Sequence, residues 1–258
     1  MNRLVKAFFG SAAAALTSVL SLSAAHAQKE WVDTALVIAI DSSNSIESDT
    51  LDLQFRATLA ALESPSVLDA IQGGYYGCIA ASIVIWSTRF RQDTIANWKK
   101  ICSRKDMLAF TANAKHPYYD HLHHHGSTTS LAGAIEYALN MLADCPFKAE
   151  RRVIDVSGNG VESSTTSGLK YLKKYKQQAE STGITINGLP IITPRSEHDL
   201  VSFYKRNIVT QDGFLIIATH PENFRKAVER KFWIDIAFSG KLAAPAAHPL
   251  KPDELYSE

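Results

Sequence analysis

Runs of apolar residues separated by polar turns recur along the chain, and they predict alternating strands and helices. The first run, from Ala35 to Ile40, is continuous in Ala, Leu, Val and Ile and ends at a polar segment. Such a run is typical of a parallel strand that is covered on both faces. After Asp41 the apolar spacing changes to three or four residues, which predicts a helix. The apolar positions of this helix are Leu51, Phe55, Leu59 and Leu62.

The same alternation continues to residue 238. We predict further strands at 75–86, 94–98, 151–158, 184–192 and 214–219. We predict further helices at 65–71, 103–114, 130–143, 166–180, 197–207 and 222–238. The connection between 86 and 94 is too short for a crossover, so the strand at 94–98 is expected to be antiparallel. The pattern therefore predicts an α/β fold: a doubly wound, mainly parallel central sheet with helices on both faces and one antiparallel edge strand.

The two ends of the chain depart from this pattern. Residues 1–27 begin with a basic segment, continue with a small and apolar stretch and end in Ala25-His26-Ala27. This is the pattern of a cleaved signal peptide, so we expect the protein to be periplasmic or secreted. We expect the folded domain to span 28–240. Residues 241–258 contain three prolines and no apolar period, and they are predicted to form a flexible tail.

Composition and charge exclude several classes of protein. Two of the 27 basic residues lie in the leader, so the remaining chain carries 25 basic and 26 acidic residues, and nothing indicates nucleic-acid binding. No other segment approaches the roughly 20 consecutive apolar residues of a membrane span, so stable membrane insertion is not expected. The chain lacks the GxSxG, HExxH and GxxxxGK[ST] motifs, and we expect no enzymatic activity.

Three cysteines allow at most one disulfide within an exported chain. Cys78 lies inside a predicted strand, where a free thiol packs as a small apolar residue. Cys102 and Cys145 lie in predicted surface connections. They are therefore the candidate disulfide pair.

The most informative polar segment is Asp41-Ser42-Ser43-Asn44-Ser45, which reads DxSxS directly after the first strand. Ligands of open α/β sheets bind beyond the carboxyl ends of the strands, where one carboxylate and two hydroxyls can converge. Three hard oxygen ligands suit Mg²⁺, which keeps several waters of its own. The same residues could instead only cap the next helix, because Asp, Asn and Ser are preferred N-caps.

Two more polar turns follow along the chain, Gly126 to Leu131 and Ser157 to Gly160. With DxSxS, and in this order, they resemble the metal-ion-dependent adhesion site (MIDAS) of von Willebrand factor type A domains, which joins a DxSxS loop, a Thr loop and an Asp-Gly turn. Within that superfamily the chain resembles a bacterial, mostly exported family of unknown function, number 1194. The segments that carry this resemblance are IDVSGNG at 154–160, ITINGLPI at 184–191 and the helix motif Phe203-Tyr204-x-x-Asn207. The resemblance extends from about Val32 to about Ala237.

The resemblance implies a divalent cation held by Asp41, Ser43, Ser45, Thr129 and Asn159. Mg²⁺ is the expected ion, and Mn²⁺ or Ca²⁺ are alternatives. Thr129 stands six residues before the helix position of Ile135, as the family Thr does, with Thr128 as the alternative. Asn159-Gly160 replaces the Asp-Gly of the family pattern, so Asp41 is the one expected carboxylate and the affinity for the ion should be lower. Asn-Gly is also an ordinary turn dipeptide.

The resemblance further implies a protein-binding module without enzymatic activity. An acidic side chain of a partner protein would complete the coordination of the cation. A metal-independent scaffold is the alternative that Asn159 leaves open.

A second candidate metal site is a segment rich in histidine before the Thr loop. Its histidines are His116, His121, His123, His124 and His125. Imidazole is the commonest ligand of transition metals, so this segment could bind Zn²⁺ and make the protein a periplasmic transition-metal binder. The alternative is a solvated and partly protonated loop.

We expect no bound ligand at two other charged features of the sequence. Asp155 lies in an apolar strand, and we expect a buried ion pair or a hydrogen bond to backbone there rather than metal ligation. The lysines of the helix predicted at 166–180 are expected to form a solvated face. They are Lys170, Lys173, Lys174 and Lys176.

Overall fold

The computed structural model describes residues 29–43, 46, 48–116, 128–163, 166–193, 196, 199–219 and 221–237. The strands in this part of the chain are Trp31–Asp41 (β1), Ile79–Trp86 (β2), Gln92–Ile101 (β3), Lys148–Gly158 (β4) and Ile184–Pro190 (β5). The helices are Ser48–Leu62 (α1), Pro65–Gln72 (α2), Arg104–Ala112 (α3), Leu131–Ala143 (α4), Thr166–Ser181 (α5), Leu200–Asn207 (α6) and Pro221–Ala237 (α7). The boundaries agree with the sequence-based prediction to within a few residues for most elements.

The strands form one sheet in the order β3-β2-β1-β4-β5. β1 is central and pairs in parallel with β2 and β4, and β4 pairs in parallel with β5. β3 pairs antiparallel with β2 at the edge. The continuous apolar run of β1 is buried throughout, because strands flank it on both sides and helices cover both of its faces. The predicted α/β architecture is confirmed, including the antiparallel edge strand.

Two layers of helices cover the sheet. Leu36, Ile38 and Ile40 of β1 point to one face and pack in a core that includes α1, α2, α3 and α7. Val37 and Ala39 point to the other face, where α4, α5 and α6 complete the second core. This alternation follows from the two-residue period of a strand, which sends successive side chains to opposite faces.

The strand predicted at 214–219 is not formed as a regular strand. This segment makes only isolated parallel bridges to β5 and the residue after it, at Gly188↔Leu215 and Ile191↔Ala218. Two features interrupt the ladder. Phe214 N donates to the side-chain Oδ1 of Asn187 over 2.8 Å, and Pro190 has no N–H to donate.

The disulfide predicted between Cys102 and Cys145 is wrong. Cys78 pairs with Cys102, with their Cα atoms 4.2 Å apart, and Cys145 is a buried free thiol. The reason is the antiparallel register of β2 and β3, which pairs Ile79 with Ile101. Cys78 and Cys102 extend that register by one residue at the same end of the hairpin. Cys78 precedes β2 instead of lying inside the strand, so the prediction of a free thiol at this position is also wrong.

Candidate functional site

Three loops of the predicted metal site meet at the carboxyl edge of the sheet. β1 and β4 are parallel neighbours, with Ile40 opposite Ser157, so Asp41 and Gly158 end their strands side by side. The loop before α4 reaches the same edge, because Ser130 N donates to Ser87 O just beyond β2 over 2.8 Å. The sheet edge thus brings the loop after β1 together with two loops that are distant from it in sequence.

Asp41 is the buried carboxylate of this edge, and its side chain is fully shielded from solvent. Its Oδ1 accepts a hydrogen bond from Ser43 N over 2.8 Å. Its Oδ2 accepts none from any residue that the structure describes. Burial raises the pKa of Asp41 from 3.8 to about 6, and hydrogen bonds from Ser43 and from the backbone of Asn159 oppose that rise. A buried carboxylate with one unsatisfied oxygen fits a bound cation, which would supply the missing charge and coordination.

Gly158 and Tyr204 border the unsatisfied oxygen of Asp41. An ideal Cβ at Gly158 would lie 2.7 Å from Asp41 Oδ2 and 2.8 Å from the Tyr204 hydroxyl oxygen, so no side chain fits there. The Tyr204 hydroxyl is buried and has no hydrogen-bond partner within the described ranges. Burial, and the nearby negative charges of Asp41 and Asp155, raise the pKa of the Tyr204 phenol well above its ordinary value. Sequence reasoning noted Tyr204 only within a helix motif and missed its place beside Asp41.

Thr129 lies against the turn that follows β4. An ideal Cβ at Gly160 would lie 3.5 Å from Thr129 Oγ1. Two hydrogen bonds join the loops: Thr129 N donates to Ser163 Oγ over 2.7 Å, and Ser163 N donates to Thr129 O over 2.8 Å. Thr128 is exposed. The structure therefore places Thr129, rather than Thr128, beside the Asn159-Gly160 turn.

Of the five predicted ligands, Asp41, Ser43 and Asn159 are buried and Thr129 is partly exposed. Ser45 lies outside the described residues. Among the residues that are described, no three His, Cys, Asp or Glu side chains come together as a metal-binding group. The candidate cation site in the described chain therefore consists of one carboxylate, hydroxyls and an amide.

Glu162 is a second carboxylate at this edge, which sequence reasoning missed. Its Oε1 accepts from Ser130 Oγ over 3.0 Å, and its Oε2 accepts from Ala132 N over 2.8 Å. Burial raises the pKa of Glu162, and the hydrogen bonds from Ala132 and Ser130 oppose that rise. Glu162 thus caps the N-terminus of α4 from the turn after β4 and holds the Thr129 loop in place. An acidic residue just beyond a predicted strand end was the available signal.

The histidine segment is described only at its first member. His116 Nε2 and Asp52 Oδ1 of α1 form a hydrogen bond of 2.8 Å, and the His116 ring packs edge-on against Phe55 with centroids 5.0 Å apart. His121, His123, His124 and His125 lie outside the described residues, so the predicted Zn²⁺ site stays a prediction.

Asp155 forms the buried ion pair that its apolar surroundings predicted. Lys231 Nζ of α7 lies 2.7 Å from Asp155 Oδ1 and 3.3 Å from Asp235 Oδ2. Asn187 Nδ2 donates to Asp235 Oδ1 over 2.5 Å. Burial raises the pKa of Asp155 above its ordinary value even with Lys231 beside it. The cluster joins α7 to β4 and β5, and Asp155 does not take part in the candidate cation site.

A search of the described helices found none that is long and apolar enough to cross a membrane.

Comparisons with solved structures agree with this fold. The structure is similar to the PilB minor pilin of Streptococcus sanguinis, with a TM-score of 0.58 and 12% identity over 82% of this chain and 63% of that one. It is similar to the vWF domain of the type V pili tip protein Mfa5 of Porphyromonas gingivalis, with a TM-score of 0.52 and 11% identity over 80% of this chain and 96% of that one.

The proximal thread matrix protein 1 of the mussel byssus is also similar, with a TM-score of 0.54, 13% identity and 81% of this chain covered. The chain spans about half of the mussel protein, 49% of its length. At these identities the likeness concerns the fold alone. A comparison with curated protein sequences found no match.

The sequence model of one protein family, described as a protein of unknown function (DUF1194), matches residues 31–239. That range includes every described strand and helix, as well as the DxSxS, Thr129 and Asn159-Gly160 segments. The chain therefore belongs to the DUF1194 family and has the fold of a von Willebrand factor A domain.

Proposed function

We propose that this chain is an exported, non-enzymatic module that binds another protein through a divalent cation, with Mg²⁺ as the preferred ion. The proposed ligands are Asp41, Ser43, Ser45, Thr129 and Asn159. The observation that carries the proposal is the unsatisfied Oδ2 of buried Asp41, at the edge where the Thr129 and Asn159 loops meet. Similarity to pilus proteins and the signal-peptide pattern of residues 1–27 support export.

The neutral amide of Asn159 defines what the partner must supply. With Asp41 as the one charged ligand among the proposed set, a bound divalent ion would keep one of its two positive charges and several waters. A carboxylate of the partner protein would complete the coordination of the ion and balance its remaining charge. The near-octahedral geometry that Mg²⁺ demands then makes the contact specific. Affinity for the ion alone is expected to be modest, and the partner's carboxylate strengthens it.

Thermal unfolding with and without metal tests the proposal. Mg²⁺ or Mn²⁺ is expected to raise the Tm of the wild type and to leave the Tm of the Asp41→Asn variant unchanged. Asp33→Asn is the matched control, because Asp33 is an equally buried aspartate at the opposite end of β1. Its carboxylate accepts from Tyr76 N and Cys78 N, so the control is less stable but keeps the full metal-induced shift.

Other outcomes decide against the proposal in different ways. A Zn²⁺-induced rise in Tm that survives Asp41→Asn, with no effect of Mg²⁺ or Mn²⁺, would assign metal binding to the histidine segment. If no divalent ion shifts the Tm of either protein, the chain is a metal-independent scaffold. If Asp33→Asn abolishes the Mg²⁺ effect as completely as Asp41→Asn does, the effect is not specific to this edge of the sheet.

A further inference from the structure

The turn between β2 and β3 presents an exposed aromatic side chain beside the candidate cation site. Phe90 is 89% exposed at the tip of this turn. The turn is fastened to the start of α4 because Ser87 O accepts from Ser130 N over 2.8 Å. A Cβ at Gly133 would lie 2.9 Å from Arg89 O, so the turn also packs closely on the first turn of α4. Ser87 and Arg89 thus hold the turn that carries Phe90 against the start of α4, which directly follows Thr129.

Arg89 holds this turn against α5. Its guanidinium forms an ion pair with Glu136 and donates from Nη2 to the Tyr175 hydroxyl over 3.0 Å. It also lies 5.1 Å from the ring centroid of Tyr171 and 6.0 Å from that of Phe90. One cation is thus held by a carboxylate, a hydroxyl and aromatic faces. Arg89 thereby fixes the turn that carries Phe90 to α4 and α5.

The exposed apolar surface continues onto α5 at Tyr171, which is 41% exposed and shares Arg89 with Phe90. Leu169 is 45% exposed but lies on the other side of α5, because helix residues two apart do not share a face. The neighbouring Gly168 packs on the Glu162 side chain, at 2.8 Å from its Cβ position to Oε1. This contact places the start of α5 at the turn that follows Asn159. We call Phe90 and Tyr171 the aromatic rim.

The charge around the aromatic rim is positive. Lys170, Lys173 and Lys174 are exposed on α5. No acidic residue occurs between 163 and 179 in the sequence. A surface of this charge attracts an acidic partner and repels a basic one. The same sign of partner charge is needed to complete a cation site that contains a single carboxylate ligand.

We propose that the aromatic rim is the docking surface for an acidic segment of the partner protein that carries an apolar side chain close to its metal-coordinating carboxylate. This inference rests on the proposed function and states which chemistry the partner must have. A single carboxylate–cation contact at a solvated surface gives little affinity by itself. A few buried anchors, enriched in aromatic residues and Arg, provide most of the binding energy in protein interfaces.

A displayed peptide library with a fixed central Asp, selected on the full chain in Mg²⁺ and eluted with EDTA, tests the inference. We expect the eluted peptides to be enriched in Phe, Tyr, Trp or Leu within a few residues of the fixed Asp. Phe90→Ser is expected to weaken the best peptide by about tenfold or more. Tyr75→Ser is the matched control, because Tyr75 is also 89% exposed but lies at the opposite edge, before β2, and should leave affinity unchanged.

A second arm tests the charge of α5 at low ionic strength. The triple variant Lys170→Glu, Lys173→Glu, Lys174→Glu should lose affinity for the selected acidic peptide. The control variant changes one exposed lysine to Glu on each of three other helices, at Lys105, Lys205 and Lys226. Both variants change the net charge equally, so a specific role of α5 appears as a difference between them.

The outcomes separate this inference from the proposed function. If the peptides elute with EDTA and bind Phe90→Ser as tightly as wild type, the inference is overturned and the cation site stands. If no peptide depends on Mg²⁺, both are overturned. If Mg²⁺ instead drives self-association that Phe90→Ser abolishes, the occupant is a second copy of this chain, and the assignment to a partner protein is wrong.

Discussion

At the scale of single residues, the buried carboxylate of Asp41 lowers the stability of the folded protein and is also the proposed charged ligand of the cation. The folded protein buries its carboxyl group with one oxygen unsatisfied, and burial raises the pKa of Asp41 from 3.8 to about 6. The folded state therefore binds the proton more tightly than the unfolded state. The stability that this group contributes is complete below about pH 4 and is lost as the pH rises through 6. Above pH 6 the metal-free protein carries a buried charge that a cation would neutralise.

The first residue-scale prediction concerns Asp41→Asn in the presence of EDTA. At pH 8 the variant should be more stable than wild type by about 2 kcal/mol, because a raised pKa of this size corresponds to about 3 kcal/mol and the amide leaves one donor unpaired. The difference should vanish near pH 4. Urea denaturation between pH 4 and pH 8 measures it. If the unfolding free energies of the two proteins depend on pH in the same way, burial of the Asp41 carboxylate does not cost stability.

Tyr204 illustrates a second property of single residues at this site. Its hydroxyl and the Asp41 Oδ2 border the same glycine, and neither has a hydrogen-bond partner among the described residues. Buried polar atoms in native proteins usually have a hydrogen-bond partner, so this pair of atoms fits a bound ligand or water. Tyr204 therefore belongs to the surroundings of the cation site although it is not one of the proposed ligands.

At the scale of elements, α4 depends on a carboxylate from another loop. Ser130 is its own N-cap, since Ser130 Oγ accepts from Gly133 N over 3.2 Å. Glu162 adds a second cap from the turn after β4 by accepting from Ser130 Oγ and Ala132 N. The helix start and the Thr129 loop are consequently held to β4 through the same side chain. The position of Thr129 is thus a property of this pair of elements.

The element-scale prediction concerns Glu162→Ala. Removing both acceptor oxygens leaves buried donors of the α4 N-terminus unpaired, and the expected cost is about 2 kcal/mol of unfolding free energy. Glu162→Gln keeps one acceptor oxygen and should retain most of the stability. Urea denaturation measures both, and the Mg²⁺-induced shift in Tm should also decrease in Glu162→Ala. Wild-type stability in Glu162→Ala would mean that Ser130 caps α4 sufficiently without it.

At the scale of the whole molecule, a buried polar cluster joins the α7 layer to the sheet. Lys231 contacts Asp155 of β4 and Asp235 of α7, and Asn187 of β5 donates to Asp235. Each of these residues is at least 95% buried. A paired cluster of this kind contributes little net stability, because desolvation offsets the attraction between the charges. Breaking it is costly, because the remaining charges stay buried without a partner.

The prediction at this scale concerns Lys231→Met at pH 7. Two buried carboxylates then lose their shared cation, and the expected destabilisation is about 3 to 5 kcal/mol. The loss should decrease as the pH is lowered towards 4, because burial raises the pKa of Asp155 and its protonation removes an unpaired charge. Lys226→Met, an exposed lysine of the same helix, is the control and should unfold like wild type. Equal losses in both variants at every pH would contradict the role given to Lys231.

Several features of the fold could be predicted from the sequence because they depend on local patterns. The apolar run of β1 predicted a strand buried on both faces, and the short connection at 86–94 predicted the antiparallel edge strand. The order of the polar turns predicted which loops meet, since parallel strands end at one edge. The segment 214–219 was predicted as a strand because its composition is apolar, but its pairing is interrupted by Asn187 and Pro190.

By itself, the sequence determined the alternation of strands and helices, the family and the loops of the candidate site, because these depend on periodicity, turn chemistry and motif order. Only the tertiary structure decided the partners of individual side chains. Cys78 pairs with Cys102 because of strand register, and Lys231 reaches Asp155 because α7 crosses β4. Tyr204 comes to Asp41 from 163 positions further along the chain, beside Gly158. Such contacts depend on how distant elements pack, and no local pattern of residues encodes them.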